Sequence, residues 1–343
     1  MLSSDVSRHV FSTDRHTTSY LAAGPENGSV VICVHGWPEL SISWRHQLPF
    51  LASLGYRAIA PDMRGYGESS VYQSHDEYRL EQSVQDMLEL LEHLGVKQAL
   101  WIGHDWGAPV VWSMARHHPE VCQGVVNLCV PYATLEKGLE VVIDLVDRKV
   151  YPESEFPAGQ WEYMRFYEEN FDQATAPMDA NPRTFCQAIF RKGDPAGKGL
   201  PSGTSMVRKT GGWLGGMSEA PEILRDEDVV SQAELDQFVA GLERNGFSSA
   251  NAWYMNHEAN KQYSNVEASS EVLKMPVLFI HAAYDFTCET IDSDLAKPMR
   301  ELCHDLTEEV IPSGHWMAQE RPVEVNQVLA KWLVNSCLMG SPE

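Results

Sequence analysis

The stretch that decides the fold is Ala99-Leu-Trp-Ile-Gly-His-Asp-Trp-Gly-Ala-Pro-Val-Val-Trp112. Its opening residues form a short apolar run, as a buried strand requires. From Ala108 to His117 the pattern reads as a helix, so the chain passes from strand to helix across Gly103-His-Asp-Trp-Gly107. G-x-x-x-G at such a junction describes a sharp turn that lifts its middle side chain clear of the backbone, a nucleophile elbow. The middle residue here is Asp105, and no G-x-S-x-G occurs anywhere in the chain, so serine esterase chemistry has no candidate nucleophile. Capping the next helix would need Asp105 alone. Glycine on both flanks is more than a cap requires.

Working outward, strand and helix alternate on the N-terminal side. Ser29–His35 and Tyr56–Asp62 are β-branched apolar runs. Leu80–Leu94 sets Leu80, Val84, Met87, Leu88 and Leu91 at helical spacing, with Gly95 as a stop. Val125–Val130 reads as a further strand. Such alternation implies an α/β fold with a mostly parallel, doubly wound sheet. The grammar breaks between residues 133 and 265, where the chain is helical, aromatic and loop-rich, with Gly/Pro-dense stretches at 193–203 and 211–216. It resumes with strands at Pro276–His281 and Glu308–Pro312. A closing helix is lined by Val325, Val328, Leu329, Trp332 and Leu333. The economical division is a core of 1–132 and 266–343, interrupted by a helical insertion at 133–265.

The chain has 343 residues and a net charge of −22. So acidic a surface repels phosphate backbones and anionic headgroups, which argues against nucleic-acid and polybasic membrane partners. Seven cysteines, with no C-x-x-C pair, read as free thiols in a reducing compartment. Met1–His16 is polar and lacks the apolar stretch of a signal peptide, and no apolar run approaches a membrane span. The expectation is a cytoplasmic protein with no integral membrane association. The oligomeric state is open, a monomer being the default.

Two more groups complete the order nucleophile, acid, histidine. Asp285 follows the strand Val277–Ala283, and His315 follows the last strand in Ser313-Gly-His-Trp316. Strand C-terminal ends are where open α/β sheets place their sites. His35-Gly-Trp-Pro38 ends an early strand. The Trp37 amide, with that of Trp106 after the nucleophile, would make an oxyanion hole. Other motifs fail: His257-Glu258 lacks the second histidine of a zinc helix, and Gly65-Tyr-Gly67 and the glycines at 211–216 lack phosphate-cradle context. No cofactor or metal site emerges.

Together these segments resemble the epoxide hydrolase group of the α/β-hydrolases, most of all the hydrolase domain of the soluble enzymes. The resemblance rests on HGWPEL, SWRHQLPFLASLGYRAIAPDMRGYGESS, GHDWGAPVVW, YDFTC, SGHWMAQERP and EVNQVLAKWL, which span most of the core. Two insertion pieces also align, Trp161–Tyr167 and Asn251–His257. The resemblance implies that the insertion is a cap whose two tyrosines, Tyr163 and Tyr254, hold the epoxide oxygen, with Tyr167 a near rival to Tyr163. It also implies a cis Trp37–Pro38 bond. The chain departs from its relatives at Ala108, where a second glycine is usual, and in the glycine-rich 193–216 region. It is too short for the phosphatase domain of two-domain relatives.

The resemblance implies that Asp105 attacks an epoxide carbon to form an alkyl ester, and that the tyrosines protonate the ring oxygen. His315, neutral and oriented by Asp285, would then activate water against that ester to release a vicinal diol. Partners are then a small lipophilic epoxide and water, without a cofactor. Trp106, Trp161, Phe166 and Tyr167, with Trp213 and Trp253, would give an aromatic pocket. A haloalkane dehalogenase shares the Asp nucleophile and the following Trp, but that group usually has Asn where this chain has Trp37 and needs no tyrosine pair. A non-catalytic binding protein on the same fold is the other alternative.

Overall fold

The computed structural model describes residues 6–266, 270–336 and 338. Part of the N-terminal stretch read above, and Cys337, lie outside them. Eight strands form one sheet: β1 Val6–Ser12, β2 Thr17–Ala23, β3 Val30–Val34, β4 Arg57–Pro61, β5 Ala99–His104, β6 Cys122–Leu128, β7 Leu273–Ala282 and β8 Cys303–Ile311. Their order is β1-β2-β4-β3-β5-β6-β7-β8. β1 with β2 and β2 with β4 run antiparallel, and all other neighbours are parallel. The inner parallel strands are apolar because helices cover both faces, with β3 and β5 buried at every residue, whereas the edge strand β8 is largely exposed or half-buried.

Helices α1 Gln47–Ser53, α2 Leu80–His93 and α3 Gly107–His117 connect the early parallel strands. Ala108 is fully buried at the start of α3. The second half of β8 lies where the sequence places it, but its ladder begins earlier, where Leu273 pairs with Cys303. In the same way β6 begins at Cys122, opposite Ala99, ahead of its apolar run. β1 and β2 carry no readable apolar run. β1 is mostly exposed, and β2 buries polar Thr18 and Ser19. Part of the β2 backbone is satisfied by a side chain distant in sequence, as when Ser19 N–H donates to Ser69 Oγ at 2.9 Å.

Between β6 and β7 the described residues form only helices and loops: α4 Leu139–Asp144, α5 Glu162–Ala180, α6 Pro182–Ile189, α7 Val207–Thr210, α8 Gln232–Asn245, α9 Phe247–Asn251 and α10 His257–Ser264. Helix α5 breaks at Asn170, whose φ of −144° is not helical. Helix α8 opens on a capping box in which Ser231 and Glu234 satisfy each other's amides. Many polar contacts tie this segment to the sheet domain, among them the following. Arg45 Nε lies 2.7 Å from Glu234 Oε1, Ser249 Oγ donates to Gly65 O at 2.7 Å, and Leu80 N–H donates to Asn260 Oδ1 at 2.8 Å. Helices α11 Lys297–Leu302, α12 Met317–Glu320 and α13 Pro322–Asn335 complete the chain. Among the described residues no helix is long and apolar enough to cross a membrane, and six cysteines are free.

Candidate active site

Asp105 stands on the turn between β5 and α3 with φ of 50°. A non-glycine residue in this left-handed region costs about 1–3 kcal/mol and persists only where its surroundings impose it. The surroundings do so through close backbone packing. A Cβ on Gly103 would lie 2.2 Å from Asn127 Oδ1, and one on Gly107 would lie 2.2 Å from Val34 O. Both flanking glycines are therefore required by space, as the motif suggested.

The carboxylate is held at one oxygen. Trp37 N–H donates to Asp105 Oδ1 at 2.6 Å. A Cβ on Gly36 would lie 2.4 Å from that oxygen and 2.5 Å from Trp106 N, so only glycine lets this loop close on the elbow. The Trp37–Pro38 bond is cis. The other oxygen, Oδ2, faces His315 Nε2 at 3.4 Å. On its far side His315 Nδ1 lies 2.6 Å from Asp285 Oδ2. Asp285 Oδ1 accepts the Thr287 and Cys288 amides at 3.2 and 3.0 Å, which fixes its carboxylate plane. Burial lowers the His315 pKa, but the Asp285 and Asp105 carboxylates outweigh it and hold the ring well above the ordinary histidine value. Burial likewise raises Asp285, and the His315 charge reverses this to leave it below the usual carboxylate value. The two carboxylates thus favour the charged form of His315.

Beneath this floor lies a second pair that sequence reasoning missed. His104 Nδ1 is 2.7 Å from Glu39 Oε2, and its Nε2 is 2.8 Å from the His315 carbonyl. Both partners are acceptors, so both ring nitrogens donate and the ring is cationic. Desolvation opposes this charge, yet the Glu39 carboxylate lifts His104 to about 10. Glu39, itself penalised by burial, is drawn down by His104 to about 2. Glu39 Oε1 and Oε2 also accept from Gln319 Nε2 at 3.1 Å and from Gly36 N–H at 3.2 Å. The available signal was the pair of neighbours, Glu39 three residues after Gly36 and His104 just before Asp105.

A third arrangement joins the insertion to the histidine loop. Glu320 Oε2 accepts from Gly193 N–H at 3.1 Å and Gly314 N–H at 2.8 Å, and Trp316 Nε1 donates to Ile189 O at 2.8 Å. Gly193 and Gly314 lie back to back: a Cβ on Gly193 would come 2.4 Å from Gly314 N.

Above Asp105, Tyr163 of α5 and Tyr254, between α9 and α10, line one cavity of about 480 Å³ together with Trp37, Asp105, Asp285 and His315. Their rings pack edge to face, with centroids 5.6 Å apart. Burial raises both phenols well above their ordinary pKa. Trp213 and Cys288 also line this space. Tyr167 does not. It stacks on Tyr254 at 4.6 Å, and its hydroxyl donates to Asn251 Oδ1 at 3.3 Å. Phe166 is buried but lines no cavity at the site, and Trp253 turns its indole N–H to Arg64 O. Trp106 and Trp161 line a second, far smaller void of about 10 Å³ that also touches Asp105. The Trp106 indole N–H is buried and has no hydrogen-bond partner among the described residues.

The family model described as the alpha/beta hydrolase fold matches residues 29–322. Epoxide hydrolase A of Mycobacterium tuberculosis is 32% identical over 91% of the chain and 92% of its own length. The chain belongs to the α/β-hydrolase family, in its epoxide hydrolase group. Bifunctional epoxide hydrolase 2 of Sus scrofa is also 32% identical over 90% of the chain, which spans about half, 52%, of that relative. Among solved structures, epoxide hydrolase A of Mycobacterium thermoresistibile matches with a TM-score of 0.77 at 29% identity, covering 96% of this chain and 98% of its own. An epoxide hydrolase from an endophytic Streptomyces matches with a TM-score of 0.79 at 27% identity, covering 96% of each chain.

Proposed function

We propose that this chain hydrolyses lipophilic epoxides to vicinal diols through an ester on Asp105. The observation that carries this reading is that two buried phenols, Tyr163 and Tyr254, line the same cavity as an ionisable Asp–His–Asp set. An epoxide needs a nucleophile behind carbon and a proton for oxygen, and this cavity offers both. Trp37 N–H engages Asp105 Oδ1, which leaves Oδ2 to attack the ring carbon. The C–O bond breaks, its electron pair goes to oxygen, and a tyrosine supplies the proton.

Esterification removes the Asp105 charge. With it goes one of the two anions that hold the His315 pKa up, so a charged His315 returns its proton to the tyrosinate left by ring opening and becomes a base oriented by Asp285. Water then adds to the Asp105 Cγ, giving its proton to His315. The oxyanion develops against the amides of Trp37 and Trp106. Collapse breaks the alkyl ester bond, the departing alkoxide takes the remaining proton of the added water, and the diol is freed with Asp105 restored as a carboxylate. The steps consume only water, and the aromatic walls suit an apolar substrate. Within the 133–265 segment, the tyrosines serve as the functional part of a cap, in a protein that works in the cytoplasm.

The test is trapping. His315→Gln mixed with an epoxide gains the substrate mass, and the adduct maps to Asp105. A label elsewhere, or none while wild type turns over, overturns the covalent route. The unpartnered Trp106 indole N–H supports a second reading as a haloalkane dehalogenase. Halide release from a haloalkane, with no diol from an epoxide, would select it.

A further inference from the structure

Two voids meet at the nucleophile, and they are unequal. The larger, of about 480 Å³, runs from Asp105 and Tyr163 past Trp213 and Phe286 to Leu200, which is 59% exposed, and so reaches the surface. The smaller, of about 10 Å³, shares Asp105, Tyr163 and Cys288 with it and is closed by Leu135, Val142, Trp161, Met164 and Leu295. A space of that size admits one water-sized group. Leu135, Met164 and Leu295 are 4%, 1% and 1% exposed, so the wall has no free surface to retreat into.

Resting on the epoxide reading above, we infer that the chain is selective for epoxides substituted on one ring carbon only. Asp105 must approach a ring carbon from behind while the oxygen faces the tyrosines. That alignment fixes the ring, and the substituents of its two carbons then diverge to opposite sides of the attack line. One side opens into the large void. The other meets the small one, which takes hydrogen or a single methyl. A chain on the second carbon would have to displace packed side chains, and close-packed interiors resist even one added methylene.

The experiment compares 1,2-epoxydecane with trans-5,6-epoxydecane, isomers of equal size and polarity, and measures diol formation. The terminal isomer is expected to have kcat/KM roughly 10²-fold higher, the scale on which a pocket rejects added methylenes. Met164→Ala enlarges the small void and should raise the internal-to-terminal ratio about tenfold. Leu135→Ala does the same from another element, should Met164→Ala fail to fold. The readout is a ratio within one variant, so a general loss of activity does not move it. Equal wild-type rates on the two isomers overturn the selectivity and leave epoxide hydrolysis standing, as does an unchanged ratio in both folded variants. No diol from either isomer overturns the epoxide reading, and the inference with it.

Discussion

The floor and the roof of this site are made differently. Around Asp105 the floor is backbone: a left-handed turn, amide donors, and glycines at 36, 103 and 107 whose Cβ atoms would have nowhere to go. Its charged groups are paired within 2.6–3.4 Å. The roof is aromatic side chain. Tyr163, Tyr254, Tyr167, Trp213 and Trp37 form edge and stacked contacts at 4.6–6.5 Å between centroids. A floor fixed by covalent geometry and hydrogen bonds presents one carboxylate in one place. A roof built of ring packing sets which molecules fit, and can be altered without disturbing the floor.

The sharpest way to break that comparison is to remove the roof's chemistry and leave its volume. Tyr163→Phe/Tyr254→Phe keeps both rings but has no proton for the ring oxygen. Single-turnover alkylation should fall about 10²–10⁴-fold, with an unchanged circular dichroism spectrum. Alkylation at the wild-type rate would reduce both tyrosines to packing.

Beneath the floor the expected effect is on stability, and it depends on pH. Glu39 titrates at about 2 against an ordinary 4.5, so its contribution is full above pH 4.5 and fades as pH falls through 2. His104 titrates at about 10 against 6.5, so its share is full below pH 6.5 and fades as pH rises through 10. Glu39→Gln should therefore cost about 3 kcal/mol between pH 4.5 and 6.5, where both shares are present. Thermal melts across pH should show the gap to wild type narrowing toward either extreme. A gap that does not vary with pH would mean that the pair is not ionised.

The smallest effect should follow Tyr167→Phe. This removes one hydroxyl that donates to Asn251 at 3.3 Å, outside the cavity. A neutral hydrogen bond is worth about 1 kcal/mol, and turnover should stay within about threefold of wild type. A loss approaching that of the double variant would move the second proton donor from Tyr163 to Tyr167.

The same contrast explains what could be read from the chain. The floor was legible because its constraints are local: glycines flanking Asp105 and the order Asp105, Asp285, His315 leave marks at fixed spacing. Strands β3 to β7 were legible because burial on two faces demands apolar runs, whereas β8, at the edge and largely exposed or half-buried, showed only its second half. β1 and β2 were not, since an edge hairpin with one exposed strand needs no such run. In the roof, Tyr163 and Tyr254 came only through resemblance. Nothing in their spacing distinguishes them from Tyr167, and only the packed insertion decides which hydroxyl reaches the cavity. Leu200 and Trp213 sit in glycine-rich loops on either side of the short α7, which leave no period to read. The ion pair of Glu39 and His104 escaped because its partners lie 65 residues apart, one in the loop after β3 and the other at the end of β5.

The seam at Gly193 and Gly314 bears on how such a protein can be rebuilt. Glu320 accepts an amide from each side of it, and Trp316 reaches across to Ile189. Two backbones in direct contact leave no side chain to absorb a mismatch. The insertion is therefore not an exchangeable module along its whole boundary. A chimera that imports a foreign insertion must bring residues 189–193 and 313–320 from the same parent, because a misfit at that line is transmitted directly to the histidine one residue away.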